Sequence, residues 1–229
     1  MTATAIANPP VERVILRDIS WDFYQRLLRE RGDSPGSRVT YDGGLLQITV
    51  VSVAHDNPNR TLASIVELAA EETGTDSCHL GSTTFQRPDL LKGFELDSCY
   101  YFLHAGEVRD KDEIDLTVDP PPELVIEVDV TSNSLDRFPI FAAVGVAEVW
   151  RYKAGAVTIF VLRDGEYHPV ANSLALPILT AEAITRFAAS YRKMKSPAWA
   201  AELRAWVRQA RGRSIPELRP GNLSPGSCR

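Results

Sequence analysis

Glu127 and Asp129 stand two residues apart in Leu124-Val125-Ile126-Glu127-Val128-Asp129-Val130, and Glu95 and Asp97 repeat that spacing in Phe94-Glu95-Leu96-Asp97. Both runs have the Val, Ile, Leu and aromatic content of strands. Side chains alternate faces along a strand, so each acid pair shares a face. In the run 124–130 Leu124, Ile126, Val128 and Val130 then line the other face. Like charges so close repel, and burial raises the cost. Three arrangements would meet that cost: a divalent cation, ion pairs with Arg or Lys, or an edge strand whose acidic face stays in water. The first is chemistry. Mg²⁺ takes octahedral oxygen coordination, keeps several waters, and needs one or two carboxylates when a phosphate supplies the rest. It lowers the pKa of a bound water and neutralises charge on a leaving oxygen, as phosphodiester hydrolysis requires. Asp97, Glu127 and Asp129 are the candidate ligands, and Arg137, Arg151 and Lys153 are the nearest cations in sequence.

Other chemistries lack their residues. His55, His79, His104 and His168 have no ligand spacing. The sequence has no Gly-x-Ser-x-Gly elbow and no phosphate-cradling Gly loop. Cys99 lies in a strand pattern and reads as an inert buried thiol. His55 beside Asp56 reads as a loop pair or as a dyad.

The elements that must position these groups follow from turn and cap signals. Ser20 caps a helix over Trp21–Arg31 that Gly32 stops. Residues 33–37 form a loop, and two β-rich runs around Gly43-Gly44 form a hairpin. Pro58 marks a helix start at Asp56 or Asn57, and Gly74 its end. Strands are expected over residues 76–88 and 94–102. The proline block Pro120-Pro121-Pro122 admits the acid-bearing strand from its edge. A short helix follows from Leu135 to Val144, then strands at 147–152 and 156–162, with Asp164-Gly165 turning into a third. Thr180 caps a helix to about Met194, and Ser196-Pro197 opens a last one to about Arg211. Helix, hairpin, helix, strands, helix, strands and terminal helices make a mixed α/β chain with helices on the faces of a sheet.

The chain divides into a flexible lead-in at 1–12, one domain at 13–194, an amphipathic helix at 195–211 and a disordered tail at 212–229. The 229 residues suffice for one well-buried domain. No run approaches the roughly 18 apolar residues that span a bilayer. Residues 1–10 lack a basic-then-apolar leader, and three cysteines are too few for a disulfide framework. Together these point to a reducing cytoplasm. Net charge is −5, but residues 186–229 carry ten Lys/Arg against two acids, leaving 15 against 28 elsewhere. An acidic body with a basic C-terminal segment either pairs tail to body or offers Arg204, Arg208 and Arg211 to nucleic acid.

Four motifs in order carry a resemblance: Gly81-Ser82-Thr83-Thr84, Glu95-Leu96-Asp97-Ser98-Cys99-Tyr100, Pro120 to Thr131, and Gly145-Val146-Ala147-Glu148-Val149-Trp150-Arg151-Tyr152. From about Ile15 to Phe187 the chain resembles the Uma-type restriction endonuclease family of the PD-(D/E)-x-K superfamily. The resemblance implies a restriction-endonuclease-like fold, a mixed central sheet flanked by helices in a single domain. It implies a Mg²⁺-dependent endonuclease acting on DNA, with Mn²⁺ as substitute ion and a homodimer as a common assembly. Asp97 and Glu127 match the family's two acids as metal ligands. Asp129 takes the place of the superfamily lysine as a third carboxylate, and Asp56 matches a further acid able to hold a metal-bound water. Arg137 stands where relatives carry a lysine four residues before an aromatic, here Phe141. Arginine does not readily lose a proton, so Arg137 suits phosphate contact better than general base. A catalytically silent nucleic-acid-binding or assembly module on the same fold is the alternative.

Overall fold

The computed structural model describes residues 13–32, 36–50, 53–81, 83–129 and 136–214. The lead-in expected over 1–12, part of the loop at 33–37 and the tail beyond 214 lie outside the described residues.

The N-terminal half is built from β1 (Arg13–Leu16), α1 (Trp21–Arg31), β2 (Ser37–Asp42), β3 (Leu45–Val50) and α2 (Val53–Thr73). The short strands β4 (Cys78–Leu80), β5 (Thr83–Arg87), β6 (Lys92–Leu96) and β7 (Ser98–Tyr101) follow, then the single turn α3 (Ala105–Val108). The second half holds β8 (Leu124–Asp129), α4 (Phe138–Val144), β9 (Glu148–Lys153), β10 (Ala156–Arg163), β11 (Glu166–Val170), α5 (Ala181–Tyr191) and α6 (Ser196–Ser214). The expected caps operate. Ser20 accepts from the Phe23 amide and Thr180 from the Ala183 amide, while Gly145 closes α4 in the left-handed region at φ 89°. Helix α2 begins at Val53 rather than beside Pro58, which sits inside it. A proline this near the N-terminus costs one early hydrogen bond, so the helix extends back past it.

The single mixed α/β domain contains two sheets, where the sequence marked one. One is antiparallel throughout, in the order β1-β3-β2-β6-β5. The other is mixed, in the order β11-β10-β9-β8-β7-β4, with β8 and β9 its parallel pair. The alternation of β8 is as its sequence requires. Leu124, Ile126 and Val128 pack under α2, α5 and α6 with Trp150, Ile159, Phe187, Trp199 and Leu203. Val125 joins the opposite core with Phe85, Phe94, Phe141 and Val149, between the two sheets. A smaller cluster of Tyr24, Val39, Tyr41 and Leu46 seats α1 on the antiparallel sheet.

The basic stripe of α6 is committed to α2. Arg204 reaches Glu71 at 2.7 Å and Glu72 at 3.4 Å, Arg208 reaches Glu72 at 3.3 Å, and Arg211 donates to the Glu72 carbonyl at 3.2 Å. Tail-to-body pairing therefore accounts for these three arginines. No described helix is long and apolar enough to cross a membrane.

Gly93 in β6 makes room for α1. A Cβ there would lie 2.2 Å from the Tyr24 hydroxyl and 2.6 Å from its Cζ, and the ring is fully buried. Gly93→Ala is expected to cost about 1–3 kcal/mol through overpacking, read as a lowered thermal midpoint. Because the Tyr24 hydroxyl has no partner among the described residues, Tyr24→Phe in the same background should recover part of that loss.

Candidate active site

The stretch from β6 to β7 changes sheet at Asp97. Up to Leu96 it pairs with β2 and β5; from Ser98 onward it pairs with β8 and β4. Ser98 lies opposite Ile126 and Cys99 opposite Val125 in the antiparallel β7–β8 ladder. The ladder ends at the Ser98 pair, and Asp97 and Glu127 are the next residues along the two chains, with Asp97 outside both β6 and β7.

Each acid also has a cation. Asp97 Oδ1 accepts from Arg38 Nε at 2.7 Å. Both Glu127 oxygens lie against Arg137 Nη1, at 2.9 and 3.3 Å. Asp129, nearly buried, meets Arg151 at 3.0 Å and Lys153 at 3.3 Å. The parallel ladder explains this last group, since it pairs Glu127 with Arg151 and Asp129 with Lys153. Of the three arrangements open in the sequence, the described side chains form ion pairs. Among the described residues no three His, Cys, Asp or Glu side chains converge as a metal-ligand group. Asp129 thus stands apart from Asp97 and Glu127, facing its own cations.

Asp56 is on the other side of the seam. It is exposed in the first turn of α2, 3.7 Å from Arg60, and lines a cleft of about 460 Å³ with Asp97, Arg38, Asn59, Glu67 and His79. Asn59 donates to the Ser98 hydroxyl at 3.1 Å, while its own carboxamide oxygen is buried without a partner among the described residues. The His55 side chain lies outside what can be described. His79 stacks on Tyr100 with centroids 4.7 Å apart, and burial draws its pKa below the ordinary histidine value.

Arg137 is placed by the helix it precedes. It is the residue before α4, its guanidinium lies over the Phe141 ring at 5.1 Å, and its Nη2 donates to the Glu95 carbonyl at 2.7 Å. The four-residue spacing to an aromatic is therefore a stacking distance on one turn of helix. Arg151 is stacked likewise on Phe138, at 5.3 Å. Arg13 opens β1 in the other sheet; its Nε and Nη1 are buried without a partner among the described residues, and burial draws its pKa below the ordinary arginine value.

Glu95 shares a spacing with Asp97 but not its surroundings. It is buried, forms an ion pair with Arg31, and accepts from the Val39 amide at 2.8 Å and Thr84 Oγ1 at 3.1 Å. It joins α1, β2 and β5 beneath the site.

The donor chemistry suits a hard divalent cation. Asp97 and Glu127 offer carboxylate oxygens, and a carboxylate has about four lone-pair sites, of which Arg137 engages two on Glu127. The fold is a mixed α/β one with Glu127 and Asp129 on β8 and Asp97 between β6 and β7. A solved structure with this fold is that of a protein described as a putative nuclease belonging to DUF820, from Anabaena variabilis ATCC 29413. It aligns with a TM-score of 0.51 at 12% identity, over 74% of this chain and 99% of that one. No curated protein matches. Residues 21–190 match the model of the Uma2 family, described as putative restriction endonucleases, and the chain belongs to that family.

Two expectations follow from this geometry. Glu95→Ala leaves Arg31 and the Val39 amide without their partner and should cost about 3–5 kcal/mol, the usual penalty for breaking a buried pair, measured by denaturant unfolding. Cys99 is fully buried, and burial pushes its thiol far above the ordinary range. Iodoacetamide at mildly alkaline pH should leave it unmodified in the native protein and label it only after unfolding, as read by peptide mass spectrometry.

Proposed function

We propose that this protein is a Mg²⁺-dependent endonuclease hydrolysing DNA phosphodiester bonds, with Asp97 and Glu127 holding the ion and Asp56 reaching it through a water. The observation that supports the reading is that Asp97 and Glu127 directly follow the last antiparallel pair of β7 and β8, in a chain of the restriction-endonuclease family. When bound, the ion would acidify a water and neutralise the leaving oxygen. The protein's own groups do the rest. Arg137, fixed by Phe141 and the Glu95 carbonyl, holds Glu127 and turns its remaining N–H edge toward a phosphate oxygen. It keeps its proton, so it binds and orients rather than acting as base. Lys153 brings an ammonium to Asp129, at the position where the superfamily keeps its lysine.

A second reading is a catalytically silent nucleic-acid-binding or assembly module. The observation favouring it is that Arg38, Arg137, Arg151 and Lys153 already balance all three acids. Supercoiled plasmid separates the two. The nuclease reading expects nicking in Mg²⁺ or Mn²⁺, none in EDTA, and a loss of about 10²-fold or more in Asp97→Asn and Glu127→Gln, on the scale of losing charge stabilisation at the reacting phosphate. Nicking that persists in both variants would sink it. Retained DNA binding with no nicking in either ion would establish the silent module.

A further inference from the structure

We propose that His79 is the proton acceptor of the cleft beside Asp97, taking a proton from the water that attacks a phosphodiester there. The step rests on the nuclease reading; the placement of the imidazole rests on the contacts below.

The cleft of about 460 Å³ is lined by His79 as well as by Asp97. His79 sits in the middle of β4, whose ladder with β7 sets it opposite Tyr100. The two rings stack with centroids 4.7 Å and planes 20° apart, which holds the imidazole plane. The Tyr100 hydroxyl donates to Glu67 Oε1 at 3.3 Å, and the same oxygen lies 3.8 Å from His79 Nδ1. A carboxylate beyond Nδ1 favours the tautomer with its proton there, leaves Nε2 as acceptor, and stabilises the imidazolium once it forms. The other edge of the ring faces Gly81. A Cβ at Gly81 would stand 3.5 Å from His79 Cε1, 3.7 Å from its Nε2 and 3.5 Å from the Asp97 carbonyl oxygen. The Nε2 edge and the Asp97 backbone therefore border one space, and residue 81 puts no side chain into it. Asp56 and Arg60 of α2, Arg38 of β2 and Tyr191 of α5 face the same cleft. Histidine is the side-chain type in this lining that changes charge around neutral pH. Burial lowers the His79 pKa while Glu67 pulls it the other way, so the imidazole is neutral and free to accept at neutral pH. The other groups near the acids are poor acceptors. Arg38 and Arg137 keep their protons, and Asp129, in the place of the superfamily lysine, is engaged by Arg151 and Lys153. In the step itself one proton of the water passes to Nε2 as the water oxygen bonds to phosphorus. The bond from phosphorus to the leaving oxygen breaks, that oxygen takes a proton from solvent, and the imidazolium returns its own to solvent.

The test is the pH profile of plasmid nicking in Mg²⁺. Wild-type nicking should rise with pH as the imidazole loses its proton, then level off. His79→Gln should lower the plateau by about 10²-fold, the scale of one proton-transfer group, and remove that rise. Glu67→Gln takes away the charge that raises the imidazole pKa, so the rise should move to lower pH. Free imidazole should restore part of the nicking to His79→Ala, and thermal melts check that each variant is folded. A folded His79→Gln with the wild-type rate, or with a lowered rate and an unchanged pH profile, overturns His79 as acceptor and leaves the nuclease reading standing. So does a His79→Ala that imidazole does not rescue. A rise that Glu67→Gln leaves in place belongs to another group and also overturns the proposal alone. Wild-type protein that nicks in neither Mg²⁺ nor Mn²⁺ refutes the nuclease reading, and this proposal with it.

Discussion

A ten-residue length of chain, 92–101, belongs to both sheets, and the site depends on where it changes partner. Before the change it lies between β2 and β5; after it, between β8 and β4. Asp97 occupies the joint. Its neighbours on both sides are pinned, Glu95 by Arg31 and the Val39 amide, Ser98 by Asn59 of α2. The backbone beside the acid is therefore held from α1 on one side and from α2 on the other. A joint so held fixes where Asp97 stands between the two sheets. Buried polar contacts of this kind add little net stability, but they specify one arrangement when every member is satisfied.

Charge balance is the second organising constraint. An acidic body would repel a polyanion if its carboxylates stood alone. The described contacts remove that objection locally. Asp97, Glu127 and Asp129 meet four side-chain cations, Arg38, Arg137, Arg151 and Lys153. Far from the seam, the arginines of α6 answer the acids of α2. The net charge of the chain thus says little about the field at the site, because the cations are placed where the acids converge.

Much of this was legible where the information is local. Ser20, Thr180 and Gly145 set helix ends as their types require, and alternation along Leu124–Asp129 separated the acidic face from the apolar one. Asp97 and Glu127 could be picked out together from their residue types and the strand patterns around them. What could not be read was long-range. Arg38 and Arg31 reach Asp97 and Glu95 only through strand pairing and the seating of α1, and neither sits near its acid in sequence. The identical two-residue spacing of Glu95 and Asp97 also hid different roles. One acid is enclosed by α1, β2 and β5, while the other stands at the change of sheet, and spacing alone does not distinguish them. The second sheet escaped notice for a similar reason: its strands are short and consecutive ones do not all pair, so only the finished topology divides them.

The docking of α6 carries a consequence for how the chain is made. Trp199, Leu203 and Val207 are buried in the same core as Leu62, Ile65 and Val66 of α2, more than 130 residues earlier. Synthesis delivers the N-terminal part first, and exposed apolar surface is what makes incomplete chains stick to one another. On the ribosome, the outer face of α2 therefore waits, unsheltered, for nearly the whole chain to emerge. A stalled or prematurely ended chain would present that face to its surroundings, with Glu71 and Glu72 still lacking the arginines that meet them in the finished fold.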